Sequence, residues 1–297
     1  GEVAKDNGFL TAYNVETGTQ LLSVSLSSRV NQVSLSADGQ YLLAVYDDTV
    51  QLYSLNQDKT AYSLASTHDL SPYYLNSAEI ALNGESAVVS AMLYSDQEDS
   101  STSGAIFNYA VENSQLILRN QNALEQAGPM RVAITANGEA FGASLHDGSC
   151  VVYKQTTETS LLWNYTPDVS NLSVAYAFDL TLNQAGQLIV ACGANVYDSE
   201  NGGYLYLLTA KWDGTSYQPQ LLWDSPIEYA TNPGVSLDLN AQYVTATDGK
   251  PSDPPNESPG NFYLFDVATG DLQWRYPTSQ MNWPMMLAAD SSSVFGG

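Results

Sequence analysis

Met285-Met286-Leu287-Ala288-Ala289-Asp290-Ser291-Ser292-Ser293-Val294-Phe295-Gly296-Gly297, at the C-terminus, reads as an apolar strand, a tight turn and a second strand. Gly8-Phe9-Leu10-Thr11-Ala12-Tyr13-Asn14-Val15-Glu16-Thr17-Gly18, near the N-terminus, reads as the second half of the same unit. The two ends therefore complete one repeat, which predicts a chain that closes on itself. The tight turn recurs as Ala37-Asp38-Gly39-Gln40, Leu82-Asn83-Gly84-Glu85, Ala136-Asn137-Gly138-Glu139 and Gln184-Ala185-Gly186-Gln187, then in the degenerate copies Leu239-Asn240-Ala241-Gln242 and Ala289-Asp290-Ser291-Ser292. Intervals of roughly 45 to 55 residues between such turns are those of propellers and solenoids.

Each turn lies between apolar strands, the first of them seen in Val33-Ser34-Leu35, Ile80-Ala81-Leu82 and Leu180-Thr181-Leu182. A third strand follows, as in Val50-Gln51-Leu52-Tyr53 and Phe262-Tyr263-Leu264-Phe265, and a fourth, as in Leu161-Leu162-Trp163 and Leu221-Leu222-Trp223. Period-two alternation in short runs is a strand signal, and no stretch sustains a helical period. The expectation is an all-β chain: a six-bladed β-propeller with four antiparallel strands per blade, its last blade closed by two strands from each terminus. A single domain over residues 1–297 is expected, with blades near 29–70, 71–127, 128–172, 173–230, 231–281, and 282–297 joined to 1–28.

Asp266-Val267-Ala268-Thr269-Gly270-Asp271-Leu272-Gln273-Trp274 resembles the D-x-x-T-G-x-x-x-W signature of the quinoprotein-like, PQQ-repeat propellers, relatives of the WD40 and YVTN types. Asn14-Val15-Glu16-Thr17-Gly18-Thr19-Gln20-Leu21-Leu22 is a weaker copy with Leu22 in the Trp place. The resemblance implies that the Trp docks one blade against the next. Quinone dehydrogenases of that family have longer chains and cofactor ligands with no counterpart here, so the resemblance implies the fold rather than the redox chemistry.

Composition narrows the setting. Only 14% of residues are charged, and 9 Lys and Arg stand against 32 Asp and Glu, a formal charge of −23. Such a balance opposes nucleic acid and anionic membranes as partners. Low charge with abundant Ser, Asn, Gln and Tyr points to an extracytoplasmic protein: secreted, periplasmic or on the cell surface. No apolar run is long enough for a membrane span, and any export signal is expected to have been removed. A monomer is expected. Cys150 and Cys192, the two cysteines, fall near strand ends of adjacent expected blades. Two readings stay open for them, a disulfide compatible with export and a pair of buried thiols.

Function in such a ring is expected where the loops joining second to third strands gather. Those loops, Tyr46 to Thr49, Tyr94 to Gly104, His146 to Ser149, Ala194 to Gly203, Thr247 to Asn261 and Gly1 to Gly8, hold more than twice their even share of the acids. Asp198-Ser199-Glu200-Asn201-Gly202 and Asp96-Gln97-Glu98-Asp99 cluster oxygens as calcium requires, which makes Asp96, Glu98, Asp99, Asp198 and Glu200 candidate metal ligands and calcium the one candidate cofactor. The other reading of these loops is solvated acidic tips. At matching offsets before the turn glycine stand Gln32, Arg131 and Asp179, candidates with His146 for a ligand site at the channel mouth. Arg131 offers bidentate contacts to a carboxylate or phosphate, and an ion pair with Asp179 is the alternative use of both.

No nucleophile elbow, phosphate loop or zinc-ligand spacing appears in the sequence. The reading is a non-catalytic propeller that binds a protein or a small-molecule ligand as an interaction scaffold. The competing reading is a calcium-dependent hydrolase of lactonase or phytase type with its site at the channel mouth, and behind it a PQQ-dependent dehydrogenase.

Overall fold

A computed structural model describes residues 2–4, 7–93, 103–155, 159–196, 202–212, 214, 216–249, 259–279 and 285–296. Among these residues there is no helix; every regular element is a strand. Contacts divide the chain into two compact units, Gly1–Val132 and Ala133–Gly297.

The first unit opens with β1 (Glu2–Ala4), β2 (Asn7–Tyr13) and β3 (Gln20–Leu26), a three-stranded antiparallel sheet. Two four-stranded sheets follow. One runs β4 (Val30–Leu35), β5 (Tyr41–Tyr46), β6 (Thr49–Leu55), β7 (Tyr62–Asp69); the other runs β8 (Tyr74–Ile80), β9 (Ser86–Leu93), β10 (Ser103–Glu112), β11 (Gln115–Leu124). The next sheet begins with β12 (Pro129–Ile134), which crosses into the second unit, and continues through β13 (Ala140–Leu145), β14 (Cys150–Gln155) and β15 (Thr159–Tyr165). After it come β16 (Leu172–Leu182), β17 (Leu188–Val196), β18 (Gly203–Trp212) and β19 (Tyr217–Ile227), then β20 (Ala230–Leu237), β21 (Tyr243–Gly249), β22 (Gly260–Asp266) and β23 (Leu272–Thr278). A two-stranded sheet of β24 (Met285–Leu287) and β25 (Val294–Gly296) ends the chain.

Within each sheet the strands lie side by side in chain order. In one detail the structure differs from what the sequence suggests: Gly1 to Gly8 reads as a loop, yet Glu2 pairs with Gly8 and Ala4 with Asn7. The Glu-Val-Ala run has the alternation to extend and covers an otherwise open side of β2.

Middle strands are buried on both faces. Leu42 to Tyr46 on β5, Ser86 to Met92 on β9 and every residue of β13 are buried. The apolar clusters each join two successive sheets. Leu43, Leu52, Ala78, Val89 and Phe107 form one in the first unit; Val152, Trp163, Leu180, Val190 and Tyr206 form one in the second. Burying one such Leu or Val contributes about 1.5–3 kcal/mol, so stacking rather than hydrogen bonding sets the order of the sheets.

The recurring turn has one geometry throughout. Its third residue is at positive φ in all six copies: 66° at Gly39, 73° at Gly84, 74° at Gly138, 73° at Gly186, 52° at Ala241 and 62° at Ser291. The degenerate copies thus keep the backbone and lose the glycine. The T-G signature is likewise a turn. Asp266 Oδ1 accepts the N–H groups of Ala268 and Thr269 at 2.9 Å, and Asn14 Oδ1 accepts those of Glu16 and Thr17 at 3.0 Å. Gly270 and Gly18 close the two turns at φ 75° and 69°.

Candidate functional site

First strands of successive sheets are tied by a backbone N–H donating to a short polar side chain. Ser34 Oγ on β4 accepts from Ile80 N–H on β8 at 3.1 Å, and Ser77 Oγ on β8 accepts from Val132 N–H on β12 at 3.2 Å. In the second unit Asp179 Oδ2 on β16 accepts from Leu237 N–H on β20 at 2.7 Å, and Ser236 Oγ on β20 accepts from Leu287 N–H on β24 at 3.2 Å. These ties satisfy N–H groups that the packing removes from water. Asp179 therefore does at its sheet what a serine does at the other three.

This accounts for one candidate ligand residue. The other oxygen of Asp179 accepts Leu180 N–H at 2.7 Å. Burial pushes its carboxyl up to about 7 although both backbone donors pull the other way.

Arg131 on β12 reaches back over the two preceding first strands. Its Nη1 donates to Gln32 Oε1 on β4 at 3.3 Å and to the Asn76 carbonyl oxygen on β8 at 3.4 Å. Two of the sequence candidates, Gln32 and Arg131, are thus in contact. Both acceptors are neutral, and burial pushes the guanidinium pKa below its ordinary value. Among the described residues the ion pair is Arg275 with Glu228, and no carboxylate closes on Arg131.

His146, half-buried, sits in the turn between β13 and β14. The turn is shaped by its neighbour: Asp147 Oδ1 accepts the Ser149 N–H at 3.0 Å and the Ser149 hydroxyl as well. Asp96, Glu98, Asp99, Asp198 and Glu200 lie outside the described residues. Among the described residues no three His, Cys, Asp or Glu side chains gather as metal ligands, and no helix is long and apolar enough to cross a membrane. Cys150 and Cys192 are free thiols, both wholly buried and close together in one apolar cluster.

One polar cluster escaped the sequence reading. Asp248, at the end of β21, is fully buried and accepts from Tyr229 N–H at 3.0 Å, Asn261 N–H at 2.7 Å, Asn261 Nδ2 at 2.9 Å and the Tyr263 hydroxyl at 2.7 Å. Asn261 Oδ1 in turn accepts from Arg275 Nε at 2.7 Å, and Arg275 lies over the Tyr263 ring and pairs with Glu228. Burial raises the Asp248 carboxyl while its four donors work against that. Its partners come from β22 and the β19–β20 connection, and β23 joins through Asn261, so only the fold assembles them. The available signal was Asp, Asn and Tyr on facing strands, which any polar hairpin shares.

No protein-family model matches the sequence, and no curated protein matches it. Solved structures match along nearly the whole chain. The β-propeller domain of Myceliophteria thermophila Cps50 (Swd1) is 15% identical with a TM-score of 0.66, over 98% of this chain and 87% of that one. Saccharomyces cerevisiae Sqt1 is 12% identical with a TM-score of 0.70, over 98% and 74% of the two chains. Kuenenia stuttgartiensis hydrazine synthase is 13% identical with a TM-score of 0.65, over 97% and 86%. At such identities the likeness defines the fold and nothing further. The chain is a β-propeller in fold, as the Swd1 domain is.

Proposed function

We propose that this propeller is a non-catalytic binding module working outside the cytoplasm, a single six-bladed ring closed by strands of both termini, and that it holds an anionic group of its partner at Arg131. The observation that carries the reading is the state of that guanidinium. It offers five donors, yet its contacts among the described residues are two long hydrogen bonds from one nitrogen to neutral oxygens. A partly desolvated charge is costly without a counter-ion, and none of the described acids supplies one. A carboxylate or phosphate brought by a ligand completes the site, and its planar pair of oxygens matches the Nε and Nη2 edge of the guanidinium.

The buried acids support a binding role in a second way. Asp179 and Asp248 are occupied by backbone and side-chain donors that hold strands in place, so both are committed to structure. The low charged fraction of the chain, 14%, supports an extracytoplasmic setting.

The test is the melting temperature of the protein in acetate, citrate or phosphate against chloride at matched ionic strength, for the wild type and for Arg131→Gln. Expected is a rise of several degrees in the wild type with one of these anions, no rise in Arg131→Gln, and a variant at least as stable as the wild type in chloride. An equal response of both proteins, or none in either with Arg131→Gln less stable in chloride, overturns the anion site.

A further inference from the structure

Cys150 and Cys192 are the two cysteines of a 297-residue chain, and the fold puts them in contact. Cys150 opens β14, opposite Ser144 on β13 and Tyr165 on β15. Cys192 lies in the middle of β17, opposite Phe178 on β16 and Tyr206 on β18. The two strands belong to different sheets, and both side chains point into the apolar cluster between them. A buried residue touches about 6–12 others, so an unselected pair in a chain of this length would meet in roughly one case in thirty. The meeting asks for a reason.

Zinc does not supply one, since a structural zinc site needs four ligands and no third or fourth joins the pair among the described residues. Redox catalysis does not either, because a reactive cysteine is partly exposed and held as thiolate, whereas both side chains here are wholly buried among apolar groups and burial pushes the Cys150 thiol up. The Tyr206 hydroxyl, bonded to the Gly148 carbonyl oxygen at 3.1 Å, lies against the pair and brings no charge to it.

We propose that Cys150 and Cys192 are joined by a disulfide in the mature protein, a covalent strap from the third strand of one sheet to the second strand of the next. The oxidant is a disulfide, either a small molecule such as oxidised glutathione or a disulfide oxidoreductase. One cysteine thiolate attacks it and forms a mixed disulfide, releasing one thiol. The second cysteine thiolate then attacks the sulfur of the first, the S–S bond of the strap forms and the second thiol leaves. The two cysteines lose two electrons and two protons, and the oxidant takes them up as two thiols. Burial keeps both thiols from reacting in the folded protein, so the bond forms while the chain folds and afterwards resists reductant. This is independent of the Arg131 reading: a strap has the same effect whatever the propeller binds.

The experiment refolds the full chain from denaturant in mixed reduced and oxidised glutathione, and in parallel in excess reductant. Each product is then unfolded, alkylated with iodoacetamide and weighed intact. Expected from the glutathione sample is an unalkylated monomer two hydrogens lighter than the reduced chain. Its melting temperature should exceed that of the reductant sample by several degrees, because the bridge closes a loop of about 40 residues in the unfolded state. A Cys150→Ala/Cys192→Ala variant should show one melting temperature in both buffers. Two alkylated cysteines after glutathione refolding, glutathione adducts, disulfide-linked dimers, or a bridged protein that melts no higher than the reduced one overturn the proposal. These readings use the wild type alone and stand even if the variant fails to fold.

Discussion

Trp223 of β19 caps Gly270 in the β22–β23 turn of the next sheet: its indole N–H donates to the Val267 carbonyl oxygen at 2.8 Å, and a Cβ built on Gly270 would lie 2.9 Å from the indole Cγ. The T-G signature is therefore a docking surface. Asp266 pins the turn, Gly270 at φ 75° closes it, and the absence of a side chain there lets the preceding sheet's tryptophan lie flat on backbone.

Gly270→Ala meets two penalties, a left-handed backbone that an L residue adopts at a cost and a contact with the indole ring. A loss of about 2–3 kcal/mol is expected from the two together. Trp223→Phe keeps most of the apolar contact and leaves the Val267 carbonyl without its donor, a loss of about 1–2 kcal/mol. Urea unfolding of each variant and of the pair checks this. Because both changes act on one contact, the double variant should lose less than the sum of the two.

Ala241 and Ser291 occupy the turn position that glycine holds in the other four copies, at φ 52° and 62°. Replacing each with Gly relieves the left-handed strain and gives back some of the gain as unfolded-state entropy. Ala241→Gly should stabilise by about 0.5–1 kcal/mol. Ser291→Gly should instead be neutral or destabilising, because it also removes the hydroxyl that donates to the buried Asp238 Oδ2 at 2.8 Å. Thermal and urea midpoints should both rise for Ala241→Gly, and a fall there would mean that the methyl group matters more than the strain.

These turns show how far the sequence carries the fold. Asp38-Gly39, Asn83-Gly84 and Asn137-Gly138 are legible because the residue types suit a positive φ, and the strand on either side alternates; the repeat and the all-β class follow from that. Ala241 carries no such mark and is found by its spacing alone. The ties between first strands were illegible for a different reason. Ser34, Ser77 and Ser236 look like any outward serine on an alternating strand, and only stacking shows that each faces an N–H of the next sheet. The Asp248 cluster is hidden in the same way, since Tyr229, Asn261 and Arg275 approach it from three separate segments. Among the site candidates, Arg131 and Gln32 do meet, while Asp179 is bound to its own structural neighbours.

Asp179 makes stability depend on pH in a stated direction. Its folded carboxyl titrates at about 7, raised by burial from an ordinary value of 3.8, so between those values the folded state holds a proton that the unfolded state has released. Its contribution is present in full below the unfolded value and is lost as pH rises through the folded one. Asp179→Ser keeps a short acceptor for Leu237 N–H, as at the three serine ties, and removes the buried charge. The wild type should lose stability relative to Asp179→Ser as pH goes from 4 to 8, measured as urea midpoints across that range, and parallel curves for the two proteins would be the contrary result.

The last expectation concerns Asp248, whose carboxylate gathers donors from the β19–β20 connection and from β22. Asp248→Asn turns one acceptor oxygen into a donor that faces Tyr229 N–H, Tyr263 hydroxyl or Asn261, so at least one buried donor is left unpaired. A loss of about 2–4 kcal/mol is expected at neutral pH. Tyr263→Phe removes one donor and keeps the ring under Arg275, so its cost should be smaller, about 1–2 kcal/mol. The Arg275–Glu228 pair at the rim, with side chains 42% and 38% exposed, is screened by solvent, and a double-mutant cycle on it should give a coupling below about 1 kcal/mol. If that cycle gave a coupling as large as the Asp248→Asn loss, the rim pair rather than the buried carboxylate would be what holds β22 and β23 to the preceding connection.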